Sequence, residues 1–234
     1  GQFSLMPVVG NLEFDEEKRA SWFSHKGEKA LPHYYKVYLA DYDVVTEITP
    51  TERAAMFRFT FPESDASYVV IDAFDKGSHI RILPEQQRIE GYTTRNSGGV
   101  PDNFRNYFVI EFDHPFSYQA TVADGHLTEH TLQQTAHHAM GIVGFHTRKE
   151  EQVHARVASS FISQEQAERN LSELGTNTFD ALVNQGREVW NKALSRLEVE
   201  GGSSEQLRTF YSCLYRSLLF PRAFYEIDAQ GQVV

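Results

Sequence analysis

Residues Tyr34–Phe61 read YYKVYLADYDVVTEITPTERAAMFRFTF, and the spacing of that stretch decides the fold class. Apolar positions recur every second residue, the period of a half-buried strand. Tyr35, Val37 and Leu39 share one strand face, with Tyr34, Lys36 and Tyr38 on the other. After the turn-forming ADYD, Val44, Thr46 and Ile48 alternate with Val45 and Glu47, so the two runs form a hairpin. In AAMFRFTF, Ala55, Phe57, Phe59 and Phe61 face in, while Met56, Arg58 and Thr60 face the other way.

Outward from there the pattern repeats in SYVVIDAF, SHIRIL, QRIEGYTTR, NYFVIEF, AMGIVGFHT and QVHARVASSFI. Gly-, Pro-, Asn- and Asp-rich segments (FPESDAS, DKGS, NSGGVPDN, DHPF, ADGH) separate them. The spacing predicts about nine or ten strands and a mainly β domain over residues 1–162, a large antiparallel β-sandwich. Near Ser163 the period changes. SQEQAERNLSEL reads as a short polar helix, and Phe179, Leu182, Val183, Gly186, Trp190, Ala193, Leu194 and Leu197 form one apolar stripe. After EGGSS, Ser203 and Gln206 fit a capping box. Leu207, Phe210, Tyr211, Leu214 and Leu218 then make a second stripe, which Pro221 stops. Residues 163–200 are a helical linker and 201–234 the start of a helical domain. Two such helices leave apolar surface that calls for partner helices encoded elsewhere.

Composition excludes some classes. The 234 residues carry a formal net charge of −10, which repels phosphate backbones, so neither nucleic acid nor a membrane surface is expected as a partner. No apolar run approaches the ~20 residues of a membrane span. The single cysteine, Cys213, allows no internal disulfide and reads as a core residue of the last helix. The 17 Phe and 11 Tyr suit either a β-rich core or a sugar-stacking surface. The first residues, GQFSLMPVVG, read as strand interior without a signal peptide, and the last, EIDAQGQVV, lack a closing element, so a longer natural chain is expected.

Three stretches carry a family resemblance. FSHKGEKALPHYYKVYL (Phe23–Leu39), TERAAMFRFTFP (Thr51–Pro62), and WNKALSRLEVEGG followed by FYSCLYRSLLFPRAFYEIDAQGQ (Phe210–Gln232) resemble glycoside hydrolase family 92, the calcium-dependent α-mannosidases. The likeness covers nearly the whole chain. One departure is His33, where a glycine is common before the two tyrosines; it bears on the local turn. The resemblance implies a sandwich joined through helices to an (α/α)6 barrel. It implies inverting hydrolysis of terminal α-mannosides, most often α-1,2, in N-glycans or mannan, by a secreted bacterial protein, periplasmic or extracellular. It implies an acid and a base in the barrel beyond Val234, about 6.5–9.5 Å apart. It implies Ca²⁺, with ligands mainly outside this chain. The remaining helical catalytic domain and a mannose-containing glycan are the expected partners.

Within the chain, His25 and Glu28 are candidates to border or brace the sugar site; the plain alternative is a solvated turn. Trp22 and Phe23 could stack on a sugar but read first as core or interface aromatics. Arg222, Tyr225 and Asp228 are candidates for the pocket rim, against the alternative that Arg222 and Asp228 tie a loop to the sandwich. The paired carboxylates are Asp41 with Asp43, Asp72 with Asp75, and Glu226 with Asp228; the first two pairs flank turns, where Asp serves the backbone. His126 and His130, four apart, and the pair His137–His138 lie in turn-rich sequence, where zinc spacing has no helix to act on. His146 and His154 read as surface or satisfied core groups. Asn170 opens the glycosylation sequon NLS. The competing functions are a non-catalytic carbohydrate-binding sandwich, which would not need two unpaired apolar helices, and a purely structural domain.

Overall fold

A computed structural model describes residues 3–219 and 225–234. It contains fourteen strands rather than nine or ten, all paired antiparallel. In chain order they are β1 (Ser4–Val9), β2 (Lys29–Leu31), β3 (Tyr34–Leu39), β4 (Val44–Pro50), β5 (Ala54–Phe61), β6 (Ser64–Asp72) and β7 (Ser78–Leu83). There follow β8 (Arg88–Thr93), β9 (Asn106–Phe112), β10 (Tyr118–Ala123), β11 (His126–Glu129), β12 (Gln133–Ala136), β13 (Ala139–Thr147) and β14 (Glu151–Ser160). A five-stranded sheet runs β1-β6-β13-β10-β11, and a nine-stranded sheet runs β12-β7-β8-β9-β14-β5-β4-β3-β2. The strands missed by periodicity include β2, β11 and β12, short edge elements of three or four mostly exposed residues, too brief for an alternation to show.

The central core lies between the sheets, around Phe59, Phe61, Ile71, Ile80, Phe108 and Phe145. Gly141 is needed there, because a Cβ would stand 2.8 Å from Ile80. The other face of β5 is buried too. Ala54 and Met56, with Val109 and Ala158, lie under Ala167, Leu171, Leu174, Phe179 and Leu182 of the helical segment. The sheet is therefore covered on both faces along its middle strands, and the outward side of AAMFRFTF meets helices.

Those helices begin where their caps predict. Ser163 caps α1 (Gln164–Leu171), Thr178 caps α2 (Phe179–Leu194), and Ser203 caps α3 (Ser204–Ser217) with the reciprocal Gln206 bond of a capping box. Only the first turn of α2 is buried on the sheet, through Phe179 and Leu182. Farther along, Gly186 packs on His33; a Cβ at 186 would stand 2.8 Å from the His33 Cβ. α3 buries no residue, its stripe from Leu207 to Leu218 is uncovered, and Cys213 is exposed rather than core. Pro221 lies outside the described residues.

A third apolar layer, including Val70, Val122 and Ile142, coats the outer face of the five-stranded sheet beneath Leu12 and Phe14. The segment carrying those two residues is pinned by Arg19, which reaches inside. Its guanidinium lies 2.5 Å from Asp72 Oδ2 and donates to the Phe14 carbonyl. His138 Nε2 donates to Asp72 Oδ1 at 2.7 Å, and the Phe74 amide donates to the same oxygen at 2.8 Å. Asp72 does shape a turn, as its position suggests, but it is fully buried between two cationic partners. Burial would push its carboxyl up; the bonds from His138, Arg19 and Phe74 outweigh that and hold it below the usual range. The bond to Asp72 holds His138 above its usual range, against burial.

Three outcomes follow for stability. Arg19→Ala leaves Asp72 buried without its arginine partner and is expected to cost about 3–5 kcal/mol, read by urea unfolding. Asp72 contributes above its unfolded value of 3.8 and loses that contribution as pH falls; His138 contributes below 6.5 and loses it as pH rises through its raised native value. The triad's contribution therefore peaks between those limits, and His138→Gln should flatten the neutral-side decline of unfolding free energy with pH. Gly186→Ala is expected to cost about 1–3 kcal/mol by overpacking, most of it recovered in Gly186→Ala/His33→Gly.

Candidate functional site

The helix-bearing side of the nine-stranded sheet is assembled by charged residues from the second resemblance stretch. Thr51 Oγ1 and the Arg53 amide donate to Glu173 Oε2 at 2.8 and 2.9 Å, and the Arg53 guanidinium reaches Glu173 Oε1 at 3.2 Å. Arg58 lies between Glu47 (2.7 Å) and Asp180 in the first turn of α2 (3.0 Å), with its guanidinium 4.2 Å from the centre of the Phe179 ring. The hydroxyl of Tyr34 donates to the same Glu47. The turn between β4 and β5 and the middle of β5 thereby fix where α2 starts.

His25 and Glu28 stand together at the edge of this sheet. His25 Nδ1 lies 2.7 Å from Glu28 Oε2, and the Tyr35 hydroxyl donates to Glu28 Oε1. The Tyr35 bond, and next the His25 bond, hold the Glu28 carboxyl below its usual range. Burial, then the bond to Glu28, pushes Tyr35 up to about 12. A carboxylate held ionised accepts hydrogen bonds well and donates a proton poorly, so Glu28 suits binding or bracing, not general-acid work. Beside it, the Trp22 backbone is tied down: its amide donates to Asp41 Oδ2 at 2.6 Å and its carbonyl accepts from Ala40 at 2.9 Å. The indole is 67% exposed, so Trp22 is not a core aromatic. Phe23 is exposed as well and meets the His25 ring edge-on at 5.2 Å.

Two residues past Glu28, an apolar groove of about 700 Å³ opens between Leu31 and Pro32 on one side and Leu194, Leu207, Tyr211 and Tyr215 of α2 and α3 on the other.

Tyr225 and Asp228 lie elsewhere. Residues 225–234 form a small hairpin bridged at Ile227–Val233. The Arg53 guanidinium sits 5.4 Å from the Tyr225 ring centre and donates to the Tyr225 carbonyl at 3.3 Å. Asp228 Oδ1 closes its own turn, accepting from the amides of Gln230 and Gln232 at 2.8 Å, and the Asp228 carbonyl accepts from Arg169. Tyr34 meets Phe179 of α2, whereas Tyr35, next along the strand, turns the opposite way to Glu28. Among the described residues no hydrogen bond or ring contact joins the His25–Glu28 pair to Tyr225 or Asp228, so the candidates do not converge. Arg222 lies outside the described residues.

Two further histidines have structural partners. His154 and His114 both bond Asp113, at 2.7 and 2.6 Å. His126 and Glu129 bound the edge strand β11, which takes that stretch out of the turn-rich class. Among the described residues no group of three or more His, Cys, Asp and Glu side chains is arranged to hold a metal ion, so the donor set that calcium needs does not fit here. Asn170 is 4% exposed with its amide engaged, which removes it as a glycosylation acceptor in the folded chain.

Comparison with known proteins places these features. Residues 1–160 match the glycosyl hydrolase family 92 N-terminal domain, and residues 166–233 match the catalytic domain of the same family. The chain is similar in structure to an inverting family 92 mannosidase of Bacteroides thetaiotaomicron, with a TM-score of 0.95 and 44% identity over 99% of this chain and 32% of that one. A family 92 α-mannosidase from the same organism, solved with mannoimidazole, gives 0.88 and 27% over 100% of this chain and 34% of that one. An uncharacterized secreted glycosidase of the fungus Arthroderma benhamiae is 22% identical over 96% of this chain and 33% of its own length. The chain thus spans about a third of the length of the relatives it matches.

Tyr35→Phe removes the largest influence that lowers the Glu28 carboxyl, so the Glu28 titration midpoint is expected to rise in carbon-detected carboxyl NMR. An unchanged midpoint would mean that the Tyr35–Glu28 bond is not made in solution.

Proposed function

The chain belongs to glycosyl hydrolase family 92, and from that premise we propose that it forms the sandwich wall and the first catalytic-domain helices of a secreted, inverting exo-α-mannosidase. The observation that carries the reading is the pairing of two features. The chain superposes over 99% of its length on an inverting mannosidase three times as long, and α3 keeps its apolar stripe uncovered beside an apolar groove. A free-standing carbohydrate-binding module would leave that stripe in water to no purpose. The substrate class is a terminal α-mannoside, most often α-1,2-linked, in N-glycans or mannan; mannoimidazole bound to a relative supports it.

In an inverting reaction one carboxylic acid protonates the leaving oxygen while a second carboxylate activates water on the opposite face of the ring. This chain's part is to bind and to shape. His25 and ionised Glu28 offer hydrogen-bonding groups to sugar hydroxyls or brace the loop that does. Trp22 and Phe23 present exposed rings on that loop, suited to an apolar sugar face. The hairpin carrying Tyr225 and Asp228 borders the cleft from the helical side. The acid, the base and the donors for calcium belong to polypeptide beyond these residues. The secreted glycosidase of Arthroderma benhamiae supports export, and the location we propose is periplasmic or extracellular in a bacterium. No described helix is long and apolar enough to cross a membrane.

The test compares residues 1–234 alone with the whole protein on an aryl α-mannoside. The shorter chain is expected to be inactive. The whole protein is expected to release β-mannose first, followed by proton NMR before mutarotation, and to lose activity in EDTA and regain it with calcium. Hydrolysis by residues 1–234 alone would refute the placement of acid and base, and α-mannose as first product would refute inversion. Glu28→Ala should raise KM by about tenfold, the scale of one lost hydrogen bond to a charged group.

A further inference from the structure

The hairpin 225–234 is too small to hold itself together. An isolated two-stranded hairpin is marginal in water, and among the described residues this one closes on four backbone bonds, of which only Glu226 N to Val234 O at 2.8 Å and Val234 N to Glu226 O at 2.9 Å are reciprocal. Its ordering therefore comes from what it docks on, and the docking surface is polar. Glu226 Oε1 accepts from Ser160 Oγ at 3.0 Å and from the Phe161 amide at 3.1 Å; Oε2 accepts from Asn170 Nδ2 at 2.7 Å. One turn earlier on α1, Gln166 Nε2 donates to the Ile227 carbonyl at 2.8 Å and to Asn170 Oδ1 at 3.1 Å, orienting the Asn170 amide.

Two properties of this arrangement are unusual for a surface turn. Gln166 and Asn170 are buried, and each spends a donor on the hairpin, so undocking would strand buried polar groups. Glu226 has three neutral donors, and among the described residues no cation lies within ion-pair range of it. Its bonds are thus directional rather than merely attractive. The donors also straddle a boundary. Ser160 ends the stretch that matches the family's N-terminal domain, whereas Asn170 and Glu226 fall in the stretch that matches its catalytic domain.

We infer that Glu226 is a positioning residue: its carboxylate locks the 225–234 hairpin to the end of β14 and to α1, and so sets where Tyr225 stands against Arg53 and where this side of the inter-domain cleft lies. The positioning role rests on the mannosidase reading above; the lock itself does not. Misplacing such a wall by an ångström is enough to lower the rate of a reaction whose groups sit elsewhere.

The test uses the whole protein carrying Glu226→Gln, which keeps the shape, removes one acceptor and turns an NH₂ toward a donor. Hydrogen exchange at Phe161, Glu226, Asp228 and Val234 is expected to quicken at least tenfold while amides of the central strands, such as Val157 and Ile110, stay unchanged and Tm moves little. On an aryl α-mannoside, kcat/KM is expected to fall about tenfold. In a cycle with Asn170→Ala, the double variant should lose clearly less than the two single losses multiplied, because the Glu226–Asn170 bond is shared while each change also breaks bonds of its own. Unchanged exchange at Phe161 and the hairpin overturns the lock. Faster exchange with unchanged kcat/KM, or losses that multiply in the double variant, overturns the positioning role. A wild-type protein without α-mannosidase activity overturns the functional reading and the positioning role with it, while the exchange measurement still decides the lock.

Discussion

Everything in this chain depends on β5 having no solvent face. Phe59 and Phe61 fill the space between the sheets, while Ala54 and Met56, one residue out of phase, lie under α1 and α2. A strand apolar on both faces must be sandwiched twice. That requirement draws the helical segment down onto the sheet and makes sandwich and helices one packed body. The close approach of Gly186 to His33 marks how near the second layer comes. His33 is buried in that contact at a position without left-handed backbone, so the departure from glycine is filled by its neighbour instead of strained.

The helices meet the sandwich through one kind of chemistry and present another on their free side. The seam inside the chain is polar and specific: Arg53 on Glu173, Arg58 between Glu47 and Asp180, Glu226 on Ser160 and Asn170. Such groups define an angle and a register, since charge-assisted hydrogen bonds are short and directional. The surface turned away is apolar. Val189 is 65% exposed and α3 buries nothing. Polar seams tune geometry, whereas greasy ones supply association energy in proportion to area.

The candidate site was legible in its parts and illegible in its assembly. The FSH-containing loop and the PRAFYEID segment were identifiable as stretches, and His25 with Glu28 proved to be a bonded pair. What could not be read was the separation of that pair from Tyr225 and Asp228. Adjacent tyrosines at 34 and 35 send one hydroxyl toward the helices and the other away from them, and that depends on which face of β3 the helices choose. The bonds of Arg53, Glu173, Asn170 and Glu226 were not legible because their partners lie as far as 172 residues away, for the Arg53–Tyr225 bond, and no local pattern records such a pair. The conjunction of Thr51 and Arg53 in one resemblance stretch was the available signal. Asp72 was read as a turn residue because it is one; its burial against Arg19 came from a strap with no periodicity at all.

By itself the sequence determined strand alternation, the capping box at Ser203, the switch of period near Ser163 and the family that these patterns resemble. Those features are set by bonds and steric preferences within a few residues, so they are written where they act. Tertiary structure alone decided the order of strands in the two sheets, the burial of Asp72, the exposure of Trp22 and Cys213, and the docking of the final hairpin on α1. Each of these is a competition for a shared surface among segments distant along the chain, and its outcome depends on which apolar faces and which donors are left once the others have packed.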